Sequence, residues 1–404
     1  VSALDTAPSS TATTPEDRVD ALIDELLNEH DVKNTTAVEF LGAQFDKGLA
    51  WVHFPEGHGG LGLSPKLQKL VNDRLASAGA PTPYGRNPIG YGMGAPTIVT
   101  HGTDAQRTRY LKPLFTGEEV WCQLFSEPGA GSDVAGLSTR AIRDGEEWIV
   151  NGQKVWTTLA HLARWGMLIA RTDPEAMKHK GMTYFVVDMH APGVEVKPLY
   201  QITGEAEFNE VFFTDVRIPD AERLGDVGEG WHVSLTTLMN ERVSIGGQIQ
   251  PRGGGFIGEA VKIWKQKGHT DPALKDELMK LWVRAEVLRL TNIRAQQMRS
   301  VGTPGPEGSI GKAGSADFNK DVSSFCVTML GAEGMLKEDG YPMDRPKHAM
   351  LWANPQQAFL RMRANSIEGG TTEVMKNILG ERVLGLPGDV RVDKEIAWSK
   401  VPRS

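Results

Sequence analysis

Three glycine-flanked stretches hold the residues best suited to chemistry. The first is WCQLFSEPGAGSDVAG, Trp121 to Gly136, where Gly129 and Gly131 sit among Ser126, Ser132 and Asp133. Successive backbone N–H groups in such a turn can cradle a pyrophosphate or donate to the oxygens of a flavin. A G-x-G after a strand also suggests a dinucleotide fingerprint, but that motif needs a third glycine and then a helix. Position 134 is Val134, and LSTRAIRDGEEWIVNGQKVW reads as strand. The Rossmann reading therefore fails, and a plain surface loop is the remaining alternative. The second stretch, TTLMNERVSIGG, carries Glu241 and Arg242; the third, NSIEGGTTEV, carries Glu368, Gly369, Gly370, Thr371 and Glu373. Either glutamate is a candidate general base, because burial raises a carboxyl pKa toward the working range.

Composition removes several other chemistries. Lys+Arg is 44 against Asp+Glu 51, a net charge of -7, so the basic field that non-specific nucleic-acid binding needs is missing. No stretch approaches 18 apolar residues, which excludes a transmembrane helix by pattern. Cys122 and Cys326 are the only cysteines, so neither a CxxC site nor a disulfide framework is expected, and a reducing cytoplasm fits. VSALDTAPSSTATTPEDRVD lacks a basic region followed by an apolar run, so it reads as a disordered leader to Pro15, not a signal peptide. A chain of 404 residues exceeds one ordinary core. Its 45 glycines predict many tight turns or close approaches to a ligand.

The elements that must position these stretches fall in three blocks. Residues 16–118 read as an N-terminal α-helical domain, with helices expected over Asp17–Leu27, Glu39–Leu49, Leu67–Leu75 and Thr103–Leu114. Between them PEGHGGLGLSP and PTPYGRNPIGYGMGAP, the latter Pro81 to Pro96, read as loops. Residues 119–222 change period. Trp148-Ile149-Val150 and Lys154-Val155-Trp156 flank Asn151-Gly152 as a hairpin signal, and Gly181–Asp188, Val194–Leu199 and Glu210–Phe213 read as strands. The expectation is a small antiparallel barrel or sandwich. Residues 223–404 are helical again, over Trp231–Val243, Ile257–Lys265, Pro272–Val301 and Ala316–Leu330. Without βα alternation a parallel sheet is not expected.

SEPGAGSD followed by NGQKVWTT, EFNEVFFTDVRIP (Glu207 to Pro219) and GGTTEVMKNILGERVLGLP (Gly369 to Pro387) together resemble the acyl-CoA dehydrogenase family over nearly the whole chain. The resemblance implies an α+β fold: an N-terminal helical domain, a middle antiparallel β-barrel and a C-terminal four-helix bundle. It also implies FAD, an acyl-CoA substrate, electron-transfer flavoprotein as electron acceptor, and a dimer or tetramer. By it, Gln123, Phe125, Ser126, Gly131 and Ser132 line the flavin, with Ser132 toward the thioester. Trp156 packs on the ring, Thr158 lies near N5, and Thr371 and Glu373 meet the ADP side. Arg242 and Gly369 face the acyl-CoA.

The implied reaction is α,β-dehydrogenation. Many members carry the base in a Tyr-Glu-Gly-Thr stretch. Registered on Thr371, that glutamate's place is Gly369, and Glu368 falls one residue early. Members that act on branched or long chains carry the base in a helical Glu-Arg pair, which is Glu241-Arg242 here. Glu241 is therefore the preferred base and Glu368 the weaker candidate. The family's Arg-x-x-Phe-Gly stretch is absent from Val261–Leu278, where Lys265 or Lys267 offers charge, and Thr328 replaces a usual glutamine. These departures concern the distal FAD contacts and leave room for a heteromeric partner. IGGQIQPRGGGF reads as a surface loop or, with Gly90, Gly92 and Gly94, as a widened acyl pocket. A branched or ring-bearing acyl group, as in lipid or steroid breakdown, is expected; an acyl-CoA oxidase is the alternative.

Overall fold

The computed structural model describes residues 14–246, 249–299, 307–336, 343, 345–346, 354–388, 390–393 and 395–402. The expected leader therefore lies outside the described residues up to position 13, and its supposed last residues are already structured. The side chain of Arg242 is also outside them. The described residues form two compact units, those within 14–87 and 104–118, and those within 88–103 and from 119 onward.

The first unit is helical. It contains α1 (Pro15–Glu29), α2 (Ala37–Asp46), α3 (Gln68–Ser77) and the single turn α4 (Pro83–Arg86); α5 (Ala95–His101) belongs to the second unit, and α6 (Asp104–Thr116) returns to the first. Thr14 and Asp17 form a reciprocal capping box that starts α1. Val19, Ile23 and Leu26, at spacings of four and three, bury one helical face against Phe40, Leu49, Val71 and Leu75. The segment read as a loop from Pro81 to Pro96 is largely helical. Beyond α4, residues Gly90–Gly94 form a π-helical turn that runs into α5.

In the second unit, eight strands make one sheet: β1 (Trp121–Leu124), β2 (Arg140–Asp144), β3 (Glu147–Lys154), β4 (Trp165–Arg171), β5 (Met182–Asp188), β6 (Val194–Pro198), β7 (Asn209–Pro219) and β8 (Arg223–Leu224). The order is β6-β7-β3-β2-β4-β5-β8, with β1 on β4. This corrects the expected antiparallel barrel in two ways. The end strands β6 and β8 do not pair, so the sheet is not closed, and β1 and β2 both run parallel to β4. The reason is that β1 and β2 share one edge of β4, joined by residues 125–139, which leave the sheet and re-enter in the same direction.

The expected hairpin at Asn151-Gly152 is also displaced. β3 continues through both residues, and its register against β7 slips between Val150 and Gly152. The turn is instead at Gly145, between β2 and β3, where φ is +63°. Gly152 answers a different need: a Cβ there would lie 2.4 Å from Thr139 Oγ1.

Six helices complete the unit: α7 (Gly230–Gly246), α8 (Phe256–Lys267), α9 (Pro272–Arg299), α10 (Glu307–Leu330), α11 (Pro355–Arg361) and α12 (Thr372–Arg382). α10 is central and packs on α7, α8, α9, α11 and α12. Its Phe318, Val322, Phe325 and Met329 meet Ile257, Ile263, Leu278 and Leu281. The glycines between α7 and α8 are backbone devices. Gly253 (φ +70°) abuts the Trp282 ring, and Gly255 (φ +67°) caps α8.

The described residues within 390–402 return to the sheet. Trp398 N–H donates to Ala176 O, and the Arg171 guanidinium lies 4.7 Å over the Trp398 ring. The buried Lys178 ammonium bridges Asp393 at 2.5 Å and Asp133 at 2.6 Å.

Candidate active site

The excursion between β1 and β2 is held from beneath by a residue pair that the sequence analysis passed over. Glu127 is 6% exposed and accepts from Ser138 N, Ser138 Oγ, Thr139 N and Lys154 Nζ at 2.7–2.9 Å. Lys154, fully buried, also donates to Phe125 O at 3.0 Å. Burial opposes ionisation of Glu127, but the Lys154 charge and these donors outweigh it and hold the carboxyl at about 2. Glu127 and Ala130 exchange backbone hydrogen bonds, closing a tight turn over Pro128-Gly129. SEP and NGQK both belong to the family motifs, but nothing in a spacing of 27 residues pairs Glu127 with Lys154.

Above this anchor the turn is open. Gly129, Gly131 and Ser132 are exposed. Neither glycine has a positive φ, and a Cβ on either would meet nothing within 4 Å. The chain's own packing gives no reason for glycine at these positions. Trp156 is a second unusual feature. It sits at φ +60°, a left-handed conformation that costs a side-chain-bearing residue about 1–2 kcal/mol. It is nevertheless 58% exposed, with its ring edge-on to Phe208 at 5.8 Å. Next to it, Thr157 Oγ1 is buried without a hydrogen-bond partner, and Thr158 is half-buried. Of the other expected flavin residues, Phe125 is buried edge-on to Tyr184, and Ser126 O accepts from Val155 N–H.

The two glutamates have different surroundings. Glu241, half-buried on α7, meets Gln123 of β1, whose Nε2 donates to Oε2 at 3.4 Å. α7 itself is fixed by buried hydroxyl contacts: Thr237 Oγ1 lies 2.9 Å from Thr97 Oγ1 and 3.0 Å from Tyr184 Oη. Glu368 is held by the buried Arg361, which donates to both carboxylate oxygens at 3.0 Å, and by Asn365 Nδ2 at 2.7 Å. Such a bidentate pair fixes the carboxylate in place. Gly369 and Gly370, at φ +63° and +91°, then turn the chain into α12. There Thr371 Oγ1 caps the helix by accepting from Val374 N–H, and Glu373 lies exposed in the first turn. Thr372 Oγ1 is buried without a partner.

Lys312 of α10 was also missed. It is 8% exposed, donates to Asn365 O at 2.8 Å and more closely to Gly370 O, and burial holds its pKa below the ordinary lysine value. With Gly254, Gly255, Leu288 and Glu368 it lines a cavity of about 670 Å³ among the C-terminal helices. Among the described residues no group of His, Cys, Asp and Glu could hold a metal ion.

Family models for the acyl-CoA dehydrogenase N-terminal, middle and C-terminal domains match residues 11–118, 122–216 and 228–384. The chain belongs to the acyl-CoA dehydrogenase family. Its fold and its activity as an oxidoreductase follow from that membership, as the sequence motifs implied. Acyl-CoA dehydrogenase IpdE1 of Mycobacterium tuberculosis is 37% identical over 347 residues, 85% of this chain and 86% of that one. Acyl-CoA dehydrogenase FadE34 of the same organism is 38% identical over 343 residues, which is 85% of this chain but 45% of FadE34. Among solved structures, the Tcur3481-Tcur3483 steroid ACAD superposes with a TM-score of 0.71 at 26% identity, covering 92% of this chain and 97% of that one. The ChsE4-ChsE5 complex of M. tuberculosis gives 0.67 at 26% identity, over 94% and 100%.

Proposed function

We propose that this acyl-CoA dehydrogenase removes the α and β hydrogens of a bulky acyl-CoA thioester, with FAD as cofactor and Glu241 as the base. The observation that carries the assignment of the base is the contrast between the two glutamates. Glu241 meets Gln123 at the end of the open turn, whereas both oxygens of Glu368 are occupied by Arg361.

The residues present fit a flavin. The open backbone at Gly129 and Gly131, the exposed and strained Trp156, and the unpartnered Thr157 and Thr372 hydroxyls all lie in the segments expected to hold it. Trp156 would stack on the ring, Ser126 and Thr158 would contact its polar edge, and Thr371 and Glu373 would meet the ADP portion. When bound, the flavin supplies the acceptor for the β-hydrogen and its electron pair. Glu241 takes the α-proton, and the electrons of that C–H bond form the new double bond. A base on a helix fixed by Thr237 is held rigidly for this transfer. Ser132, Arg242 and Gly369 belong to the acyl-CoA side in this reading.

A large acyl group is supported by the likeness to a steroid acyl-CoA dehydrogenase. Assembly with a second chain, the same or related, is supported by an exposed apolar stripe on α9: Met279, Val283, Val287 and Leu290 are each 49–58% exposed. Electrons would pass on to electron-transfer flavoprotein. Two buried free thiols, Cys122 and Cys326, fit a cytoplasmic location. No helix among the described residues is long and apolar enough to cross a membrane.

The test is anaerobic mixing of the flavoprotein with ring-bearing and linear acyl-CoAs while the flavin band is followed. Bleaching by the ring-bearing esters is expected. Glu241→Gln should slow it by about 10²–10⁴-fold and Glu368→Gln should not. Bleaching lost only in Glu368→Gln would overturn the choice of base.

A further inference from the structure

We propose that Arg361 is a positioning residue for the reaction: it ties the Glu368 turn to Phe208 and so fixes the stance of Trp156. The proposal rests on the reading that Trp156 faces the flavin.

Trp156 needs a brace. It and Leu159 are both left-handed, at φ +60° and +54°, so the segment 156–159 is strained at both ends. Such backbone persists only where its surroundings fix it. The residues that lead into β7 supply the constraint. Thr157 and Asn209 exchange backbone hydrogen bonds at 3.0 Å, and Leu159 N–H donates to Glu207 O at 3.0 Å. Asn209 is fully buried, and its Nδ2 donates to Thr157 O at 3.1 Å. Between Glu207 and Asn209, Phe208 sets its ring edge-on to Trp156, with the centroids 5.8 Å apart and the planes at 82°.

Phe208 is held in turn from the C-terminal helices. Arg361, the last residue of α11, places its guanidinium carbon 5.5 Å from the centre of the Phe208 ring. The same guanidinium donates from both terminal nitrogens to Glu368 at 3.0 Å and lies 3.9 Å from Glu207. Arg361 is 4% exposed, and leaving this cluster would strand a buried charge. A guanidinium suits the double task, because it packs on an aromatic ring while its fork grips a carboxylate. Two further ties run between the same segments. Gln357 Nε2 of α11 donates to Glu205 Oε1, and Arg345 Nη2 donates to Asn209 Oδ1, both at 2.6 Å. Glu368 opens the double-glycine turn into α12. The turn assigned to acyl-CoA and the tryptophan assigned to the ring therefore share one brace.

Fluorine NMR of the full-length flavoprotein labelled with 5-fluorotryptophan reads Trp156 directly, and its resonance is identified by its loss in Trp156→Phe. Arg361→Met/Glu368→Met removes both partners together, so no buried carboxylate is stranded. Phe208→Leu removes the intervening ring. Both should move the Trp156 resonance, and both should make the flavin dissociate about threefold to tenfold more readily, the range an aromatic edge contact supplies. Arg363 is the control, because it lies on the same turn but reaches α10 and Phe359. Arg363→Met should lower the melting temperature and leave the Trp156 resonance in place. If the double variant does not fold, Arg361→Lys decides instead: it keeps a charge for Glu368 but not the flat group beside Phe208. A folded Arg361 variant with the Trp156 resonance at its wild-type position overturns the proposal. So does an equal movement in Arg363→Met, which would reduce Arg361 to a contributor to stability. The reading beneath the proposal is tested separately, by dithionite reduction of the wild-type flavin. A Trp156 resonance unmoved by reduction would take the tryptophan off the ring, while the spectra of the oxidised variants would still decide whether Arg361 sets its stance.

Discussion

Glu127 shows how much one side chain can do without touching a ligand. Its carboxylate accepts four hydrogen bonds and pairs with a lysine that has no exposed surface, so it stabilises the turn only while ionised. The sign of the pH dependence follows. The native value of about 2 lies below the ordinary 4.5, so the contribution is complete above 4.5 and is lost as pH falls toward 2. Urea unfolding of wild type should therefore show a falling midpoint across that window, and Glu127→Gln should flatten the fall. At neutral pH the variant should also lose about 3 kcal/mol, because Lys154 would be left buried beside a neutral group. An unchanged slope would show that Glu127 is not the group being titrated. At this scale the sequence was legible where a residue is unusual for its motif. The glycines of PGAG and the tryptophan of KVWTT stand out from the sequence alone. Lys154 did not, because a lysine in a strand ordinarily faces water, and only the fold reveals that this one points inward.

Elements were read more reliably by period than by punctuation. Helices with an apolar face, such as α1 and α8, appear within a few residues of the expected ranges. The errors cluster where glycine or proline was taken to end an element. Gly90 to Gly94 continue as a helical turn, and Asn151-Gly152 lies inside β3 as an irregularity, not at a hairpin tip. A glycine permits a turn, but it also permits another backbone to come close, and sequence alone does not separate the two. The turn before α12 offers an element-scale test. Arg361 is 3% exposed at its side chain and Glu368 is its bidentate partner, so Glu368→Ala should cost about 3 kcal/mol, read as a lower melting temperature. A loss below about 1 kcal/mol would mean that the pair is compensated locally and does not hold the turn.

For the whole molecule, the order of helices, strands and helices was visible in the sequence, but the sheet's connectivity was not. Pairing β1 and β2 with the same strand requires knowing that a Gly-rich segment leaves the sheet between them, and local pattern carries no such information. The exposed stripe on α9 belongs to this scale as well. Replacing both Val283 and Val287 by lysine should shift the protein to a smaller species in light scattering without lowering the helix content; an unchanged mass would move the contact elsewhere. The bridge from Lys178 to Asp133 and Asp393 has a consequence in time. Its two ends are set by residues 215 positions apart, Lys178 and Asp393. During synthesis the sheet and the Asp133 turn leave the ribosome long before their partner exists. The turn must therefore wait, with Lys178 already committed to one carboxylate and open to a second. Docking of Asp393 and Trp398 is then a late folding event that reports back to the turn that carries Asp133.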